Sequence, residues 1–242
     1  MANPAFAYGS STPQSRATRG ALLYCARADV EFRYLAIEGP VGLGKTTLAA
    51  RLSARLEAAL VRDDTENPFL GDFYAGRPGA AFQAQLFFTL ARHRQLLSLR
   101  QRDLFSQITV CDYLFERDRI YAFLNLDDNE LFIYQRLFDL VARDLAAPDI
   151  VIYLQAPTET IRKRLQERAR RAEEEEVVLP SEAYLGELNE AYNHFFFHYS
   201  ATPLLVVETS QVDVGWGDEA VDELLRQIRT MARGTRYYVP RT

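Results

Sequence analysis

Gly39-Pro40-Val41-Gly42-Leu43-Gly44-Lys45-Thr46 fits the pattern G-x-x-x-x-G-K-[ST] without a mismatch, and Thr47 follows it. Glycines at these positions let successive backbone N–H groups turn toward one phosphate, and a helix beginning at the lysine adds the partial positive charge of its N-terminus. Lys45 is then expected at the β- and γ-phosphates, with the Thr46 hydroxyl on Mg²⁺. Average residue usage puts a chance match in a chain this long at about one per cent. The setting strengthens it, because Tyr34–Ile37 reads as a short apolar strand running into the glycines and Lys45–Leu60 reads as a helix. The motif implies binding of a nucleoside triphosphate. It does not choose among kinase, GTPase and motor. No N-K-x-D guanine-reading motif occurs, and no apolar strand ends in adjacent acids as a motor's would. A small kinase with an acceptor pocket is what remains.

A phosphoryl transfer to an alcohol needs a carboxylate near that hydroxyl, a second carboxylate for the metal, and cations for the charge in flight. In open α/β sheets ligands sit beyond the carboxyl ends of the strands. Two acids fall there: Glu66, in Asp-Asp-Thr-Glu-Asn-Pro after a strand at Ala59–Val61, and Asp112, directly after a strand at Ile108–Cys111. Each taken alone is more often a helix cap or a solvated loop acid.

The elements that must hold these residues follow from periodicity. Further strands read at Ile150–Leu154 and Leu204–Val207, and helices at Phe82–Leu99, Asp118–Leu126, Asn129–Leu145, Glu159–Arg171, Ser181–Tyr199 and Asp218–Arg233. Short apolar strands alternating with long helices predict an α/β fold, a doubly wound five-stranded parallel sheet with helices on both faces. Residues 1–30, rich in Ser, Thr, Pro, Gly and Ala, read as a flexible tail, and 31–242 as one domain. A composition of 48% hydrophobic and 25% charged residues is ordinarily globular. With 28 Lys+Arg against 33 Asp+Glu, the net charge of −5 disfavours a nucleic-acid coat. Two cysteines, Cys25 and Cys111, exclude a disulfide scaffold, and three histidines disfavour a His-rich metal site. No apolar run approaches a membrane span and no secretory h-region opens the chain, so a cytoplasmic protein is expected.

Several ordered motifs go further. Glu66-Asn-Pro-Phe-Leu, Phe82-Gln83, Leu90-Ala-Arg92, Asp112-Tyr113 and Asp118-Arg119 resemble the deoxynucleoside kinases, closest to the bacterial deoxyadenosine/deoxyguanosine branch. Pro148-Asp149-Ile-Val-Ile-Tyr-Leu154, Thr158-Glu-Thr, Arg168-Ala-Arg170 and Tyr184-Leu185 continue the resemblance in order, over about residues 32–210. It implies a P-loop kinase that uses ATP-Mg²⁺ to phosphorylate the 5′-hydroxyl of a deoxynucleoside, preferably a purine, with deoxycytidine as a second acceptor. It further implies a homodimer and no membrane or nucleic-acid partner. Carried over by motif, Glu66 is the base at the 5′-hydroxyl, Gln83 pairs with the nucleobase edge, and Arg92 with Asp118 completes base recognition. Tyr74 contacts the sugar 3′-hydroxyl, and Asp112 helps Thr46 hold Mg²⁺. This chain departs from the eukaryotic pattern at Tyr113, where an arginine is usual; Arg117, five residues after Asp112, is the substitute cation.

The run Arg162, Lys163, Arg164, Arg168, Arg170, Arg171, followed by four glutamates at 173–176, reads either as a solvated ion-paired helix or as an arginine-rich lid. By resemblance, Arg168 and Arg170 are the lid's R-x-R. His194 and His198 stand four apart, but without a third ligand they read as one face of a Phe-rich helix. Two other readings stay open. A nucleoside monophosphate kinase would want arginines near Glu66, where only Arg62 and Arg77 are at hand. A non-catalytic relative would not need the intact Lys45, Thr46, Glu66 and Asp112.

Overall fold

The computed structural model describes residues 31–63, 66–101, 108–171 and 180–240. The expected tail and the glutamate run at 173–176 lie outside the described residues. From Tyr34 the chain runs β1 (Tyr34–Glu38), α1 (Lys45–Leu56), β2 (Ala59–Val61), α2 (Leu70–Tyr74), α3 (Ala80–Gln101), β3 (Thr109–Cys111), α4 (Arg117–Asn125) and α5 (Asp128–Ala142). It continues β4 (Ile150–Gln155), α6 (Thr158–Arg171), α7 (Glu182–Phe197), β5 (Leu204–Glu208), α8 (Asp218–Arg229) and β6 (Thr235–Tyr238).

The strands pair in parallel in the order β2-β3-β1-β4-β5-β6. Among the described residues the sheet therefore has six strands, not the five expected from sequence. The sixth, Thr-Arg-Tyr-Tyr, has no apolar run because it is an edge, bonded among the described residues to β5 alone, with residues alternating between exposed and half-buried. Gly234, at φ 72°, turns the chain back into it, and α8 stops at Arg229 rather than Arg233. The first helix is also shorter than its pattern suggests. Glu57 takes the left-handed conformation (φ 51°), and its N–H closes on the Ser53 carbonyl.

β1 is buried along its whole length, as a central parallel strand must be. Successive side chains point to opposite faces. Leu35 and Ile37 join Leu48 and Leu52 of α1, Leu165 of α6 and Leu224 of α8. Ala36 faces Ile120 of α4 and Tyr192 and Phe196 of α7, while Tyr34 packs with Leu96 of α3 and Phe138 of α5. At roughly 1.5–3 kcal/mol per fully buried large apolar side chain, this strand anchors the layers on both faces.

Because β1 lies between β3 and β4, the strand order reverses beside it, and a crevice opens at the carboxyl ends of β1 and β3. Two glycines there have no substitute. A Cβ on Gly39 (φ 151°) would lie 2.4 Å from the Leu154 carbonyl oxygen, and one on Gly44 (φ 76°) 2.9 Å from that of Val214. Close packing against β4 and the loop after β5 thus shapes the glycine turn.

Candidate active site

The turn from β1 to α1 forms the phosphate cradle expected from Gly39 to Thr46. Lys45 folds back over it, its Nζ donating to the carbonyls of Gly39 at 2.7 Å and Pro40 at 3.0 Å. Burial of the ammonium, with Arg117 adding repulsion, pulls its pKa down to about 8 against the attraction of Glu38, Asp112 and Asp63. A bound triphosphate favours the charged form, so above pH 8 the free protein must take up a proton as it binds. Donor affinity should then weaken by up to about tenfold per pH unit between about pH 8 and 10. Calorimetric titration of ATP in buffers of differing ionisation heat reads this directly. Uptake approaching one proton is expected near pH 9, and an uptake of zero there overturns it.

Thr46 and Asp112 are brought together as expected: the threonine hydroxyl donates to Asp112 Oδ2 at 2.8 Å. The other oxygen, Oδ1, accepts from the Asp63 N–H at 2.7 Å. Burial raises the Asp112 pKa, with the Thr46 and Asp63 hydrogen bonds working against it. Here the structure adds a residue that sequence reasoning passed over. Asp63 follows β2 closely and sits among cations. Its two oxygens accept from Arg92 Nε at 2.9 Å and Nη2 at 3.0 Å, and Oδ2 also accepts from Arg117 Nη1 at 2.8 Å. Burial pushes this carboxyl up, but Arg117 and Arg92 outweigh it and hold the pKa below the ordinary aspartate value. Asp63 is therefore ionised at neutral pH.

Arg92 is 4% exposed, not the surface charge a helical arginine usually is. Its remaining nitrogen, Nη1, pairs with Asp118 Oδ1, and its guanidinium lies over the Phe88 ring at 4.6 Å. Asp118 is fully buried and also takes a hydrogen bond from Thr89 at 3.2 Å. Arg117, the cation expected in place of the missing arginine, reaches the same group through Asp63. Tyr113 turns away to Gln95, its hydroxyl donating to Oε1 at 2.7 Å.

Gln83 is exposed and does not join this group. Gln85 does: it is buried, and its Nε2 donates to the Asp118 carbonyl at 3.0 Å. Helix geometry explains the difference. Seven residues from Gln85 to Arg92 make about two turns, whereas nine from Gln83 make about two and a half and point it to the opposite side. Glu66 is exposed, with no hydrogen bond or ion pair to the described residues, and Tyr74, at the end of α2, is 68% exposed. Arg168 and Arg170 are exposed on the last turn of α6, with no side-chain hydrogen bond or ion pair to another described residue. Arg164, by contrast, donates to the carbonyls of Thr209 and Val212, both at 2.6 Å, and braces the loop that covers Gly44. His194 and His198 lie at the end of α7 with rings 4.6 Å apart and tilted by 47°, and no three His, Cys, Asp or Glu cluster as a metal cage among the described residues.

Residues 35–233 match the family model for deoxynucleoside kinases. The chain belongs to the deoxynucleoside kinase family. The match extends past the stretch whose motifs resemble it and ends short of β6. A deoxyguanosine kinase from Bacillus subtilis is 34% identical over 139 residues, 57% of this chain and 67% of that one. A deoxyadenosine/deoxycytidine kinase from the same organism is 24% identical over 208 residues, covering 81% and 92%. Among solved structures, deoxyadenosine kinase from M. mycoides with bound dATP superposes with a TM-score of 0.65 at 27% identity, over 80% of this chain and 98% of that one. This deoxynucleoside kinase therefore shares its fold with an enzyme of known structure over nearly all of that enzyme's length.

Proposed function

We propose that the protein transfers the γ-phosphoryl group of ATP to the 5′-hydroxyl of a purine deoxynucleoside, with deoxycytidine as a second acceptor. The observation that carries this is the placement of Asp63, an ionised carboxylate held by Arg92 and Arg117, hydrogen-bonded through its backbone to Asp112, at the open end of the phosphate cradle. Asp63 accepts the 5′-hydroxyl proton as the new O–P bond forms and the bond from the γ-phosphorus to the bridging oxygen breaks, leaving ADP. Glu66, the base implied by resemblance, is the competing assignment. Lys45 exchanges the carbonyls of Gly39 and Pro40 for phosphate oxygens, and Arg117 supplies positive charge on the acceptor side.

Thr46 and Asp112 fit Mg²⁺ as a hydroxyl and a carboxylate already joined, since that ion takes one or two protein oxygens and leaves the rest to phosphates and water. When bound, it neutralises charge on the β- and γ-oxygens. Gln85, Arg92 and Asp118 form the base-reading edge, the carboxamide offering a donor and an acceptor side by side. Tyr74 serves the sugar. Arg168 and Arg170, without partners among the described residues, close over the donor phosphates as a lid. The purine preference is supported by the relatives' names, as is deoxycytidine.

The arginines that a monophosphate acceptor would need are not gathered. Arg62 is exposed, and Arg77 pairs with Asp72 at 2.8 Å. Residues 31–242 act as one kinase domain. A homodimer is supported by the apolar outer faces of α4 and α5, where Phe123, Phe132 and Leu140 are 69%, 57% and 61% exposed. A cytoplasmic location is in keeping with the absence of any helix long and apolar enough to cross a membrane among the described residues.

The test is phosphorylation by ATP-Mg²⁺ of the four deoxynucleosides and their monophosphates, with Lys45→Ala alongside. Purine deoxynucleosides should turn over fastest, and Lys45→Ala should lower kcat by about 10²–10³, the cost of losing one charge-stabilising donor. Turnover of monophosphates alone would reassign the acceptor pocket. Nucleotide binding without any product would make the protein a non-catalytic relative.

A further inference from the structure

Besides Asp118, the crevice holds a second acid with no exposed surface: Glu38, the last residue of β1. Burying a carboxylate is costly unless its oxygens find donors and a nearby cation. Both oxygens of Glu38 do. Oε1 accepts from the N–H of Gly39, which opens the phosphate cradle, at 2.9 Å, and from the Tyr192 hydroxyl of α7 at 3.1 Å. Oε2 accepts from the N–H of Leu114, two residues beyond Asp112, at 2.9 Å and stands 3.9 Å from Arg117 Nε. That Nε is buried without a hydrogen-bond partner among the described residues.

The two halves of the carboxylate thus serve the two halves of the reaction. One oxygen grips the loop that holds the donor phosphates. The other grips the segment after β3 that carries Asp112 and leads into Arg117, the first residue of α4. Tyr192 locks the carboxylate's rotation from the helix behind. A residue needed only to fill the core would be apolar, as its neighbours Leu35, Ala36 and Ile37 are.

We infer that Glu38 is a positioning residue for phosphoryl transfer, holding Arg117 in register with the glycine turn so that the guanidinium meets the acceptor side of the transferring group. This rests on the reading of Arg117 given above. Misplacement by even an ångström at such a site is expected to lower turnover without loosening the substrates to the same degree.

The test is a double-mutant cycle in the full-length protein: Glu38→Gln, Arg117→Gln and the pair, with kcat and KM for deoxynucleoside measured per folded molecule and ATP binding measured by calorimetry. Glu38→Gln keeps the shape and removes the charge. It should lower kcat at least tenfold in the otherwise unaltered protein and less than twofold in the Arg117→Gln background, with KM changed less than threefold in both. Tyr192→Phe removes one hydrogen bond from Glu38 while leaving the acid in place. It should lower kcat a few-fold, with the same dependence on Arg117, and it carries the test if Glu38→Gln does not fold. Additive effects, or an unchanged kcat with altered thermal stability alone, would overturn the inference. An unchanged kcat in Arg117→Gln by itself would instead overturn the role given to Arg117.

Discussion

Asp63→Asn should lower kcat by about 10²–10⁴, the range for removing a positioned general base, while the Kd for ATP stays within about twofold. The asparagine keeps the size of the side chain and one carbonyl oxygen for Arg92, but it can neither take the hydroxyl proton nor hold both guanidinium groups by charge. Glu66→Gln, made in parallel, should change kcat by less than threefold, because the Glu66 side chain stands in solvent without a partner among the described residues. Single-turnover phosphorylation at saturating deoxynucleoside separates the chemical step from product release. If Glu66→Gln is the dead variant and Asp63→Asn the active one, the base is Glu66. Asp63 is then a counter-ion that keeps Arg92 and Arg117 in place.

That contrast shows where sequence reading stops. The cradle was legible because backbone geometry and phosphate chemistry both demand the same glycines and the same Lys-Thr pair, close together in the chain. Asp112, Arg117, Arg92 and Asp118 were legible through ordered motifs, and the structure brings all four to the crevice. Asp63 was not, since the conspicuous acid beyond β2 was the one in the Glu-Asn-Pro segment. Only the parallel pairing of β2 with β3 brings Asp63 against Asp112. Gln83 and Gln85 differ by two positions in a helix whose apolar residues run nearly all round, so the pattern alone did not say which glutamine faces Arg92. A signal was present in the seven-residue spacing of Gln85 to Arg92 on one helical face. Glu38 lies one residue beyond the strand read at Tyr34–Ile37, and its burial becomes visible only with α7 packed over it. β6 was missed because an edge strand needs no apolar run.

Arg92→Met should both destabilise the protein and abolish deoxynucleoside binding, and the two losses can be separated. The guanidinium is the cation paired with Asp118, whose side chain is 1% exposed, and it also shares Asp63 with Arg117. Removing one member of a buried pair costs about 3–5 kcal/mol, because the other is left charged without compensation. For a domain of this size that corresponds to a fall in Tm of about 10 °C, readable by calorimetry. The pH dependence identifies the cause. Without Arg92, the burial that raises the Asp118 pKa acts unopposed by that guanidinium. A carboxyl with a raised folded pKa is unpenalised below its unfolded pKa near 3.9 and costs stability as pH rises through the folded value. The gap in Tm between the variant and the parent should therefore narrow as pH falls from about 7 toward 4. Arg92→Met combined with Asp118→Asn should regain most of the lost stability at neutral pH, since no buried charge is then left over. Deoxynucleoside binding should stay lost in the double variant, because the guanidinium proposed to complete the base-reading edge is still missing. Recovery of binding together with stability would mean that Arg92 serves the fold alone, and that Gln85 reads the base without it.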